Sequence, residues 1–94
     1  MLSEFVKSRS GTIKRVALAH GARKVSVFGS HTAGKSRPRD LDILVRFAPG
    51  RDLFDLIGIK LALEKKLRCP VDVVSEGGLS PYLKERILRE AIAL

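Results

Sequence analysis

Apolar and polar positions along the chain switch between a helical and a strand period. Ile13, Val16, Ala17 and His20 recur at i, i+3, i+4 and i+7, which predicts a first helix. Ser3 can cap it and Gly21 can end it, with Gly11 placed to interrupt or delay its start. Lys24 to Phe28 alternates and predicts a strand. Gly29 to Arg39 is a polar connection containing Gly34 and Pro38. A second strand is predicted over Leu41 to Phe47, with Ile43-Leu44-Val45 mostly buried, and Pro49-Gly50 marks a turn.

Asp52 opens a long helix that reaches about Arg68. Its apolar residues make two stripes. Leu56, Ile59, Leu63 and Leu67 form one, Phe54, Ile57 and Leu61 the other, and Lys60 and Glu64 lie between them. The first stripe should meet the sheet. The second either joins the core or meets another subunit, and the wrapping of helices in a thin domain favours the core. Val71 to Val74 is a third strand, Gly77-Gly78 a loop, and Ser80-Pro81 a cap followed by proline at the first helical position. The last helix carries Leu83, Ile87, Leu88, Ala91 and Ile92 on its apolar side. The order helix-strand-loop-strand-helix-strand-helix predicts an α/β (α+β) two-layer domain with a small sheet, one domain over residues 1–94.

Composition narrows the function classes. Ninety-four residues bury only a thin core. No apolar run approaches a membrane span, and the N-terminus lacks a signal-peptide pattern. The single cysteine, Cys69, has no partner for an internal disulfide; it reads as a half-buried structural thiol, and a cytoplasmic location follows. The net charge of +8 favours polyanionic partners: nucleic acid, a nucleoside triphosphate or an acidic protein. The cations are spread along the chain and aromatic residues are few, so nucleic acid is the less favoured of these.

Three acids carry candidate chemistry. Asp40 and Asp42 open a strand, and a spacing of two puts both carboxylates on one face. Asp72 stands between Val71 and Val73, so alternation turns it away from its apolar neighbours. Three carboxylates brought close raise each other's pKa unless a cation holds them, and magnesium takes carboxylate oxygens together with substrate phosphates. Two such ions can clamp both oxygens of a phosphoryl transfer. Gly29-Ser30, after a strand ending in Phe28, lets backbone N–H groups and a hydroxyl face a phosphate. Residues 29–36 also match the P-loop pattern G-x-x-x-x-G-K-[ST]. A P-loop must lead into a helix, whereas here Pro38 follows two residues after Ser36 and a strand begins at once.

Gly29-Ser30, nine residues, then Asp40-Leu-Asp42 resembles the signature of the polymerase-beta-like nucleotidyltransferase superfamily. Val71-Asp72-Val-Val and the ending from Gly77 to Ala91 resemble the minimal nucleotidyltransferases of prokaryotes. The resemblance implies that Asp40, Asp42 and Asp72 bind magnesium, that Asp72 also helps activate the acceptor hydroxyl, and that Gly29 and Ser30 hold the triphosphate. It implies transfer of AMP from ATP to a hydroxyl with release of pyrophosphate. It also implies a HEPN-domain partner, often a ribonuclease toxin, with which the chain forms a hetero-oligomer and whose tyrosine accepts AMP. His31-Thr32 departs from the Arg-Ala that members often carry, and the connection before Asp40 is short for the family. Two other classes compete: an antitoxin that neutralises its partner by binding alone, and a basic nucleic-acid-binding module.

Overall fold

The computed structural model describes residues 2–29 and 40–94. Helix α1 (Glu4–Ala19) is capped by Ser3, whose hydroxyl accepts the Val6 N–H at 3.2 Å. The helix runs through Gly11 without a break and buries Val6, Ile13, Val16 and Ala17. His20 is its C-cap, and Gly21 turns the chain out at φ 89°.

Strand β1 (Ala22–Phe28) starts two residues earlier than its alternation suggests and pairs antiparallel with β2 (Leu41–Phe47). Helix α2 (Leu53–Leu67) begins with a reciprocal capping box between Asp52 and Asp55 and ends at Arg68, which is left-handed. It returns the chain to β3 (Val71–Ser75), parallel to β2. A 3-10 turn (Glu76–Gly78) then leads to α3 (Pro81–Glu90), capped by the Ser80 hydroxyl. A short strand, β4 (Ile92–Ala93), pairs antiparallel with β1.

The sheet order is β3-β2-β1-β4. Val25, Val27, Leu41, Ile43, Val45, Val71 and Val73 line one face and form the core with α1 and with Ile59 and Leu63 of α2. The predicted α/β class and strand positions are present. No described helix is long and apolar enough to cross a membrane.

Two expectations are corrected. Ala91 and Ile92 do not continue the last helix: it stops at Glu90, and Ile92 joins β4. There the chain satisfies the free edge of β1, and the Leu94 N–H donates to the Val25 carbonyl at 3.0 Å. A two-residue strand has no period to read. The second stripe of α2 is not core: Phe54 is 82% exposed, Leu61 59% and Ile57 39%. Among the described elements α2 packs chiefly on β3 and α1, so one face is covered and the other is left exposed.

This division has a measurable consequence. Ile59→Ala, in the first stripe, should cost about 2–5 kcal/mol in chemical denaturation. Leu61→Ala, two residues away, should stay within about 0.5 kcal/mol of the parent chain. Equal losses from the two would mean that the second stripe is core.

Candidate active site

Topology gathers the predicted acids at one end of the sheet. β2 and β3 run parallel, so their N-terminal ends lie together, and the antiparallel β1 delivers its C-terminal end to the same place. Asp42 pairs in register with Asp72 on one side and with Phe28 on the other. Neighbouring strands stand about 4.8 Å apart, so the two carboxylates occupy adjacent positions on one face. Leu41 and Ile43 are buried toward the helices, as are Val71 and Val73, and alternation turns Asp42 and Asp72 to the opposite face. Asp40 precedes β2 and is exposed.

The electrostatics follow from this placement. Burial pushes the Asp42 carboxyl above its usual range, and the charges of Asp72 and then Asp40 push it further. None of the three acids forms an ion pair with a described residue. Asp72 is therefore not absorbed by a described surface lysine, and among the described residues no cation pairs with the acids at this end. Among the described residues, no three His, Cys, Asp or Glu side chains converge as a ready metal cage. The donors are hard carboxylate oxygens with no cationic partner among the described residues, a set that could hold a magnesium-class ion.

Gly29 closes the site from β1. Its φ is 78°, and a Cβ there would collide with Asp42 Oδ2. Glycine is thus required twice, by the left-handed backbone and by the carboxylate it lies against. Ser30, His31, Lys35 and Pro38 lie outside the described residues. The next described element after Gly29 is β2, antiparallel to β1, and not the helix that a P-loop requires. Cys69 is half-buried against the core, and burial raises its thiol pKa, so it stays protonated as a structural thiol does.

Lys60 and Glu64 were legible only as polar residues between two stripes; they have a specific task. Lys60 Nζ donates to the Val71 carbonyl at 2.7 Å and to Glu64 Oε2 at 3.2 Å. The same Glu64 Oε2 accepts the Val71 N–H at 3.0 Å. The pair ties the first residue of β3, at an edge of the sheet, and so anchors the backbone next to Asp72. The Val71 N–H and then Lys60 hold the Glu64 carboxyl below its usual range.

A sequence model described as "Nucleotidyltransferase domain" matches residues 2–94. The chain belongs to the nucleotidyltransferase domain family. As a nucleotidyltransferase it is 41% identical over 78 residues to a Methanocaldococcus jannaschii protein described as "Putative protein adenylyltransferase", a match covering 82% of this chain and 84% of that protein. It is similar to a solved structure described as a "putative minimal nucleotidyltransferase", with 47% identity and a TM-score of 0.86, covering 100% of this chain and 97% of the other. The nucleotidyltransferase also shares its fold with a chain from the complex of a tri-AMPylated Shewanella oneidensis HEPN toxin with an MNT antitoxin. That match has a TM-score of 0.74 at 19% identity and covers 93% of this chain and 69% of the other.

Two carboxylates give opposite pH signatures. Folding raises the Asp42 pKa, so its contribution is most favourable below the ordinary value of 3.8 and is lost as pH rises through the higher native value. Asp42→Asn should therefore raise Tm at neutral pH in chelator, and the gain should vanish below about pH 3.8. Folding lowers the Glu64 pKa, so its contribution is fully present above 4.5 and is lost as pH falls through the lower native value. Glu64→Gln should lower Tm at neutral pH, with the gap closing on acidification below 4.5. Thermal melts of both variants across pH check the two signs.

Proposed function

We propose that the chain is a magnesium-dependent protein adenylyltransferase that moves AMP from ATP to a tyrosine hydroxyl of a HEPN-family partner. The observation that carries this reading is the carboxylate pair Asp42/Asp72, paired in register beside Asp40 and against Gly29, with no ion pair to a described residue. The adenylyltransferase description of the Methanocaldococcus jannaschii relative supports the reaction class. The AMPylated HEPN toxin held by a protein of the same fold supports the acceptor and the partner.

In this reading Asp40 and Asp42 would hold magnesium, with Asp72 completing the site. The bound metal would neutralise the triphosphate and stabilise the charge that develops on the leaving pyrophosphate. Gly29 and Ser30 would hold the triphosphate. Asp72 would accept the proton of the acceptor hydroxyl. The acceptor oxygen then bonds to the α-phosphorus, the bridging bond to the β-phosphate breaks, and pyrophosphate leaves. Catalysis here is positioning and charge neutralisation. A cytoplasmic location suits a reaction that consumes ATP.

A binding-only antitoxin is the second reading, and the exposed apolar face of α2 favours it. Incubating the chain with magnesium, ATP and a HEPN partner separates the two. Intact-mass spectrometry should show an AMP adduct on the partner that Asp42→Asn abolishes while the complex persists. Neutralisation of the partner without any adduct, equal in the wild-type chain and Asp42→Asn, would leave the binding-only reading standing.

A further inference from the structure

The proposed reaction uses the sheet face that carries Asp42 and Asp72. The helical layer lies on the opposite face and holds a feature that the chemistry leaves unused. Leu53, Ile57 and Leu61 follow one another at helical spacing on α2, with Phe54 beside them. They are 66%, 39%, 59% and 82% exposed. Four large apolar side chains along one face of one helix are a surface that water disfavours, and such a patch marks an interaction site.

The bordering charges say what should cover it. Lys65 continues the stripe one turn beyond Leu61, and Arg68 is the left-handed residue that ends the helix beyond it. Both are exposed, and neither side chain is bonded to a described residue. The acids at this helix are already engaged. Asp52 accepts the Phe54 N–H at 3.0 Å. Asp55 takes Arg51 at 3.2 Å and the Asp52 N–H at 3.1 Å. Glu64 takes Lys60 and the Val71 N–H. The free charge at the stripe is therefore positive. A second copy laid antiparallel would offer Lys65 and Arg68 only Asp52 and Asp55, which already hold the helix start and Arg51, so a self-contact is the weaker match in charge.

We propose that the α2 stripe is the docking surface for an acidic amphipathic helix of another protein chain. Apolar residues of that helix would seat on Leu53, Phe54, Ile57 and Leu61, and its carboxylates would meet Lys65 and Arg68. The proposal does not rest on the adenylyltransferase reading, because the stripe and the carboxylate site lie on opposite sides of the sheet. Docking and nucleotide chemistry are separable.

The test uses the full chain and two synthetic amphipathic peptides, one of Leu, Ala and Glu, the other with Lys in place of every Glu. Fluorescence anisotropy should show the Glu peptide binding, more weakly as salt rises, and the Lys peptide binding at least about tenfold more weakly. The double variant Phe54→Ser/Leu61→Ser should lose about tenfold or more in affinity at unchanged Tm. Lys65→Glu/Arg68→Glu should reverse the preference between the peptides. Equal binding of both peptides, or unchanged affinity in Phe54→Ser/Leu61→Ser, overturns the proposal. So does a wild-type dimer in sedimentation equilibrium that this variant abolishes, which makes the occupant a second copy. Co-sedimentation with phosphatidylserine vesicles that the same variant abolishes also overturns it and makes the occupant a membrane surface.

Discussion

Asp42 and Asp72 are pressed side by side by a core that has no regard for their charge. Leu41 and Ile43 flank one, Val71 and Val73 the other, and all four are buried against the helices. Strand alternation leaves each carboxylate no choice of face, and the parallel register of β2 and β3 leaves no choice of neighbour. Hydrophobic burial of several side chains outweighs the repulsion of one half-exposed acid pair, whose cost at this exposure is screened by solvent. The core thus holds mutually repelling carboxylates together at one end of the sheet. In the proposed reading this is where a cation and a triphosphate would be held.

The rest of the fold supports that placement. An edge strand presents backbone groups with no ladder partner, and the start of β3 would be free to fray. Lys60 and Glu64 reach from α2 to both backbone groups of Val71 and hold it. On the other side of β2, the chain leaves β1 through a left-handed Gly29 that lies against the Asp42 carboxylate. β4 closes the free edge of β1. Each of these contacts involves backbone groups or a charged side chain and not apolar packing.

The sheet also separates two kinds of surface. One face carries the acids at its end, beyond the buried Leu44 and Ser26. Its other face packs α1 and α2, and α2 presents a second apolar stripe outward. A domain this small cannot wrap both sides of a helix, because it has too few elements to cover them. The exposed stripe follows from size as directly as the thin core does. A wholly polar outer face would have been the simpler solution for a chain that works alone.

Much of the fold was legible in the chain itself. Alternation and helical period placed β1, β2, β3, α1, α2 and the start of α3, because each buries one face and leaves the periodic trace of it. The acids were legible as a set because Asp40/Asp42 and Asp72 break apolar runs at positions where alternation must expose them. The sequence could not show that Asp42 and Asp72 stand in register, since register belongs to a pair of strands and not to either one. Nor could it show that Lys60 and Glu64 serve Val71, since an i, i+4 ion pair looks the same on any solvated helix. β4 was too short to leave a period, and only the free edge of β1 made it a strand. Whether Phe54, Ile57 and Leu61 are core or surface depended on how many faces of α2 the rest of the molecule could reach. A linear pattern records that a side chain is apolar; only the packed elements decide whether anything arrives to cover it.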